Sequence, residues 1–183
     1  MIIAVCGFRG SGKSLFGEVA RWMGFPVFEM SEPVLEEMKR RNMPITNAGV
    51  REFATEIRKT GGKDVVAKML CEKIAPAISK DKYVVVIGAR SVDEINVFRK
   101  LGRTACVALV ADEKKRLLRT KRRGKPSDPK DLSGLRWADE IEKKWGLGEL
   151  VEKCDEKIEN NSSLEEFEAK AKAVLGKYGA GNA

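Results

Sequence analysis

The sequence predicts an α/β fold in which helices cover a parallel sheet. Three observations carry this expectation. Apolar, strand-like runs alternate along the chain with segments of helical periodicity, which calls for a crossover between successive strands. One run, Tyr83-Val84-Val85-Val86-Ile87, is apolar throughout instead of alternating, as a strand buried on both faces must be. The first run, Ile2 to Cys6, passes directly into a glycine-rich turn and then a helical segment.

Taken in order, Ile2 to Cys6 reads as a buried strand and Lys13 to Met23 as the helix after the turn. Pro26 to Met30 is a second short strand, and Ser31 stands where a residue caps a helix from Glu32 to about Arg41. Asn47 to Lys59 and Lys63 to Ser79 repeat apolar residues at helical spacing, divided by Gly61-Gly62. The Tyr83 run is the third strand, after which Gly88-Ala89-Arg90-Ser91 turns into a helix from Val92 to Leu101. Thr104 to Val110 is the fourth strand, followed by a helix through Arg122. Pro126, Pro129 and Gly134 mark a loop before helical segments at Leu135 to Trp145 and Glu149 to Lys153. Lys157 to Glu159 is a weak last strand, Ser163 to Tyr178 a last helix, and residues 179–183 a flexible tail. Neither a repeat nor a low-complexity linker divides residues 1–178, which read as one domain.

With 183 residues, 43% of them hydrophobic, the chain can bury a sizeable core. The apolar start is too short for a signal peptide, and no stretch reaches the ~20 apolar residues of a membrane span, so a soluble, cytoplasmic protein is expected. There is no histidine, which removes Ser-His and Cys-His catalysis and any histidine-ligated zinc. Cys6, Cys71, Cys106 and Cys154 show no metal-ligand spacing and read as small buried thiols. The net charge of +8 is concentrated: Lys114 to Lys130 holds nine basic residues and one acidic, and the rest of the chain is neutral. Such a segment suits a polyanionic ligand, although a solvated basic face has the same composition.

The turn after the first strand is Gly7-Phe8-Arg9-Gly10-Ser11-Gly12-Lys13-Ser14, a Walker A P-loop in its required strand–helix setting. Glycines let successive N–H groups converge on a phosphate chain, and the following helix adds its positive end. Lys13 would reach the β- and γ-phosphates, and the Ser14 hydroxyl would ligate Mg²⁺. A GTPase would carry an NKxD-type base-reading segment, which is absent. A motor or AAA-type ATPase would end a strand in an acid, whereas the best strand here ends Ile87-Gly88-Ala89. A small kinase with a basic lid remains, and the phosphoryl-transfer transition state needs mainly positioning and cationic clamping. Arg116, Arg119, Lys121, Arg122 and Arg123 would supply that clamp, with Arg119 and Arg123 on one helical face.

Beyond the P-loop, the chain resembles the nucleoside monophosphate kinase-like P-loop proteins, in particular a mainly archaeal family related to adenylate and dephospho-coenzyme A kinases. The resemblance extends to Phe167. It includes Met30-Ser31-Glu32, Phe53-Ala54 with Arg58, Asp64 to Ala67, Gly88 to Ser91, Gly146 to Glu149, and Asn160. It implies a three-layer sandwich with a five-stranded parallel sheet ordered 2-3-1-4-5, an acceptor-binding insert over about 31–79 and a lid over about 116–145. It also implies ATP and Mg²⁺ as cofactors. Arg58 and Arg90 would then hold the acceptor's anionic group, Arg119 and Arg123 the donor phosphates, Glu32 would face the acceptor and Asn160 the donor base. Each has an ordinary alternative: a helix-end cation for Arg58, a surface cation for Arg90, first-turn dipole chemistry for Glu32, a turn residue for Asn160. Two departures stand out. Relatives place an Asp where Ile87 lies, and an Arg-Asp pair where this chain has Ala138-Asp139, with Arg136 two residues earlier.

The leading expectation is therefore an ATP-dependent kinase acting on a small, phosphorylated, nucleoside monophosphate-like metabolite. A nucleotide-binding regulatory or RNA-associated protein with weak or lost catalysis is the alternative. RNA is the less favoured partner because no aromatic residue lies inside the basic run to stack on bases. A simple hydrolase is a third reading. Neither the acceptor nor the oligomeric state is legible.

Overall fold

Strands without polar residues belong at the centre of a sheet, and β1 (Ile2–Cys6) and β3 (Val84–Ala89) are buried along their whole length. The computed structural model describes residues 1–81, 83–124 and 128–179, with no side-chain description for Asn47, Lys80 and Asp81. β1 and β3 pair in parallel, with β4 (Thr104–Val110) on the other side of β1. The shorter, less buried β2 (Val27–Glu29) and β5 (Glu156–Glu159) form the edges, giving five parallel strands in the order β2-β3-β1-β4-β5.

Alternating side chains of the central strands divide into two cores. Ile3, Val5, Val85 and Ile87 pack with α1 (Lys13–Trp22) and α9 (Leu164–Gly179), through Phe16, Phe167 and Leu175 among others. Ile2, Ala4, Val84 and Val86 face the other layer, built from α2 (Glu32–Arg40), α3 (Asn47–Gly61), α4 (Val65–Asp81), α5 (Val92–Leu101) and α8 (Leu147–Lys153). The basic segment forms α6 (Glu113–Arg123), and α7 (Leu132–Trp145) follows it. Among the described residues, no helix is long and apolar enough to cross a membrane.

Several boundaries differ from expectation for identifiable reasons. β3 continues past Ile87 because Gly88, at φ 98°, forms an irregularity: Val5 pairs with Ile87, but Cys6 pairs with Ala89. α7 begins at Leu132, three residues early, because the Asp131 carboxylate accepts the Gly134 N–H at 2.8 Å and caps it. Ser31 precedes α2 but makes no side-chain cap; its hydroxyl donates to Glu29 at 3.4 Å. Cys106 and Cys154 are joined in a disulfide, where separate thiols were expected, because the sheet and the end of α8 bring together residues 48 apart. Pro126, in the expected loop, and tail residues 180–183 lie outside the described residues, while Gly179 ends α9.

Candidate active site at the P-loop

β1 delivers the P-loop to the carboxyl end of the sheet's middle strand, the usual place for a ligand in an open α/β fold. Gly7, Gly10 and Gly12 are sterically required there, the first and last by what lies behind the loop. Gly12, at φ 112°, starts α1 in the left-handed region, and a Cβ on it would run into the Asn160 amide. A Cβ on Gly7, at φ 144°, would strike the Leu109 carbonyl of β4. Close packing against β4 and the residue following β5 thus shapes the loop.

Asn160 is buried just beyond β5. Its N–H donates to the Val110 carbonyl at 2.7 Å, and its amide nitrogen donates to the Ser11 carbonyl at 2.9 Å. Arg119 from α6 donates to both the Asn160 carbonyl, at 2.8 Å, and its side-chain oxygen, at 2.9 Å. Asn160 therefore clasps the loop to β5 and orients Arg119. Arg116 points inward: it grips Asp139 of α7 with bonds of 3.0 and 2.6 Å and donates to the Arg9 carbonyl at 3.1 Å. It serves the joint between α6, α7 and the P-loop and is not free to clamp a ligand. The same pair keeps Asp139 partnered although no arginine precedes it, while Arg136 turns outward to Glu113.

Two cavities open on opposite sides of the loop's end, and Lys13 and Ser14 line both. The first, of about 490 Å³, lies between Gly10 to Leu15, the Arg119 to Arg123 side of α6, Asn160 and Phe167. Arg123 sits on its rim, paired with Asp128 through Nε at 2.8 Å, and Asp128 also approaches Arg9 at 3.5 Å. The second, of about 400 Å³, is bounded by Arg9, Glu29, Arg58, Arg90, Glu142 and Trp145. Arg58 donates to Glu94 of α5 at 2.9 Å and to the Ala54 carbonyl at 3.0 Å, and its guanidinium lies 4.8 Å from the Trp145 ring centre. Arg90 donates to the Gly88 carbonyl at 2.7 Å and pairs with Glu142 of α7 at 3.2 Å. Glu32 does not line either cavity: its carboxylate accepts the Glu29 N–H at 2.8 Å, and Glu29 takes the place on the wall.

The electrostatics is dominated by cations. Burial, and then the Arg90 charge, push the Lys13 ammonium down to about 7, while its Nζ bonds the Gly7 carbonyl and the Phe8 carbonyl at 3.1 Å. Burial alone would raise Glu142, but Arg90, Lys13, Arg9 and Arg116 reverse that and hold its carboxyl below its ordinary value. Burial likewise pushes the Glu94 carboxyl up and the Arg58 guanidinium down, each offset in part by the other. Glu94 and Glu142 are the buried carboxylates of this region that sequence reasoning missed. Glu94 had a signal, because Ser91-Val92-Asp93-Glu94 fits a capping box. The Ser91 hydroxyl accepts the Glu94 N–H at 3.2 Å, and Glu94 accepts the Arg90 N–H at 2.6 Å. Nothing local marks Glu142.

Residues 6–135 match the family model described as an AAA domain. The family-level separation from AAA-type domains drawn from the strand end does not hold, although Ile87 still leaves that strand without its acid. A UPF0200 protein from Hyperthermus butylicus is 42% identical over 96% of this chain and 93% of its own length. Among solved structures, a shikimate kinase from Bacteroides thetaiotaomicron superposes with TM-score 0.64 at 17% identity over 98% of both chains. A dephospho-CoA kinase from Campylobacter jejuni gives 0.61 at 15%, over 100% of this chain and 98% of that one. At these identities the likeness concerns the fold: a kinase-type P-loop sandwich. With its P-loop, its sheet order and a relative similar over nearly the whole length, this chain belongs to the UPF0200 family, with an AAA-type P-loop domain at its core.

Proposed function

We propose that the protein is an ATP-dependent phosphotransferase that moves the γ-phosphoryl group to a small phosphorylated metabolite, of the nucleoside monophosphate kind. One observation carries the reading: two cavities meet at Lys13 and Ser14. In-line transfer needs donor and acceptor on opposite sides of the moving phosphoryl group, with cations between them. ATP takes the first cavity, its phosphates in the loop Gly7 to Ser14 and under Arg119 and Arg123. The acceptor takes the second, its anionic group drawn to Arg58 and Arg90. Residues 31–79, containing α2 to α4, act as the acceptor-binding insert, and residues 116–145 as the lid.

The acceptor cavity continues between α3 and α7 into a groove of about 810 Å³, sharing Arg51, Arg58, Ile141 and Trp145 with it. Trp137 and Trp145 flank the groove, with Arg51 stacked 4.7 Å from the Trp137 ring. Aromatic faces beside cations suit an acceptor that joins a flat ring to an anionic group.

Oxygen donors suit Mg²⁺, and the Ser14 hydroxyl and the Glu29 carboxylate share the acceptor-side wall. Ser14 would hold the ion, and Glu29, the register neighbour of Ile87 across β2 and β3, offers a carboxylate beside the position of the missing acid. Bound Mg²⁺ neutralises charge on the β- and γ-phosphate oxygens. The chain's own part is to bind, align and clamp, with Lys13 as the central cation. The test is ADP release measured across nucleoside monophosphates, coenzyme A precursors and hydroxy acids, with Lys13→Ala as control. Lys13-dependent ADP formation with one acceptor class is expected; its absence with every class overturns the reading.

A second reading follows from Ile87 and from exposed Lys114, Lys115, Lys121, Arg122 and Arg123 on α6: a nucleotide-binding regulator that contacts RNA. It predicts RNA affinity that falls steeply with salt and is lost on neutralising those residues.

A further inference from the structure

Three sulfurs behind the P-loop take no part in the reading above. Cys6 ends β1 immediately before Gly7, Cys106 lies within β4, and Cys154 follows α8. Their Sγ atoms all lie within 4.8 Å of one another. Cys106 and Cys154 are bonded, and Cys6 Sγ stands 3.4 Å from Cys154 Sγ. Cys6 and Cys106 are buried, whereas Cys154 is the partly exposed residue of the three.

The bond leads directly to the phosphate cradle. Asp155, next to Cys154, accepts the Cys106 N–H at 2.7 Å, and β5 starts one residue later with Glu156 opposite Val107. β5 is a short edge strand with only Ile158 fully buried, so little packing holds it to β4. Asn160, the clasp on Ser11 and Arg119, follows its last residue directly. A covalent link at the start of β5 therefore tethers the clasp at its end. At the other end of the cradle, Lys13 and Arg90 are the cations whose charge reaches the Cys6 sulfur.

We propose that Cys6, Cys106 and Cys154 form a redox modification site whose state sets how firmly the P-loop is held. The reductant is a dithiol. One of its thiolates attacks Cys154 Sγ, the bond to Cys106 breaks, and Cys106 leaves as a thiolate that takes up a proton. The second thiol then closes on the first and releases Cys154, so the dithiol loses two electrons and two protons to the pair of cysteines. In the reduced protein, β5 and Asn160 keep their hydrogen bonds, the buried Ile158 and the Glu156–Lys177 ion pair but lose the covalent tether. Exchange within the trio needs no outside oxidant: Cys6 Sγ bonds to Cys154, and Cys106 leaves with the Cys6 proton. Burial pushes the Cys6 thiol up to about 12, which keeps it protonated and keeps the resting bond on Cys106.

The proposal rests on the first cavity being the donor site, and its test separates the two claims. The full-length protein is prepared with oxidised glutathione and with dithiothreitol, and its thiols are counted after denaturation. Two are expected in the oxidised form, Cys6 and Cys71, and four in the reduced form. Amide hydrogen exchange over residues 7–14 is expected to be at least fivefold faster in the reduced form, and a fluorescent ATP analogue at least fivefold weaker. Cys154→Ser should behave as reduced under both conditions, and Cys71→Ser should keep the difference. Four thiols after oxidation, or equal P-loop exchange in two forms that differ in thiol count, overturns the proposal. So does stoichiometric zinc or copper retained by the reduced protein. A redox-dependent exchange rate without analogue binding sustains the redox site and removes the donor reading instead.

Discussion

Arg58 of α3 and Glu94 of α5 meet at 2.9 Å with side chains 8% and 0% exposed, and the arginine lines the second cavity. Glu94 also holds the Arg90 N–H, so one carboxylate sets two of the cationic residues of that cavity. Removing one partner of a buried ion pair leaves the other unpaired, at a cost of about 3 to 5 kcal/mol. Glu94→Ala should lower stability in urea by about that much, and Glu94→Gln, which keeps a hydrogen-bonding oxygen, by clearly less. Equal losses for the two variants would show that the charge and its bonds do not matter.

Lys13 provides a pH signature. With its ammonium at about 7, much of the free protein is neutral there at neutral pH, whereas a bound phosphate chain holds the proton. ATP binding should therefore take up a proton. Affinity should be level below pH 7 and fall by up to about tenfold per unit above it, until the lysine of the complex also titrates. Calorimetry in buffers of different ionisation enthalpy checks this, and an affinity that does not change up to pH 9 rules it out.

Asn160→Ala removes the clasp on Ser11 and one of the two oxygens that Asn160 offers Arg119, leaving the backbone carbonyl. Loss of hydrogen bonds that position a charged side chain is worth about 1.5 to 3 kcal/mol, or roughly 10- to 100-fold. That loss should appear in ATP affinity, with the KM of the acceptor nearly unchanged. An effect confined to the acceptor would mean that the two cavities are assigned the wrong way round.

Trp137 lies outside the first cavity and is 58% exposed. Trp137→Ala should raise the acceptor KM at least fivefold while leaving ATP affinity and the unfolding midpoint in place. Acceptor binding should also quench the fluorescence of the normal protein. An unchanged acceptor KM would remove the groove from the binding site.

The sheet was legible because its signal is local: a strand buried on both faces must be apolar throughout, and Tyr83 to Ile87 has no other reading. The P-loop was legible for the same reason, since spacing alone fixes what its backbone can bind. Partnerships across the fold were not. Arg58 and Arg90 could be placed from resemblance, but Glu142 reaches Arg90 over 52 positions from the last turn of an ordinary amphipathic helix. Glu32 and Glu29, three residues apart, illustrate the limit: the carboxylate nearer the sequence match folds back onto the backbone, and its neighbour lines the wall. Arg116 belonged by composition to a clamp, yet its position on α6 turns it toward Asp139 instead.

The clasp between Asn160 and Ser11 joins positions 149 residues apart, one beside the first strand made and one beside the last. During synthesis, the amino-terminal half can form β1, the loop and α1 long before β5 exists. The loop then lacks its back wall, and Arg119 lacks the oxygens that aim it. Nucleotide capture is consequently a late event in the life of each molecule, withheld until the carboxyl-terminal strand has docked. A nascent or truncated chain carrying the whole motif should still be unable to sequester ATP, so the binding site also reports that the chain has finished folding.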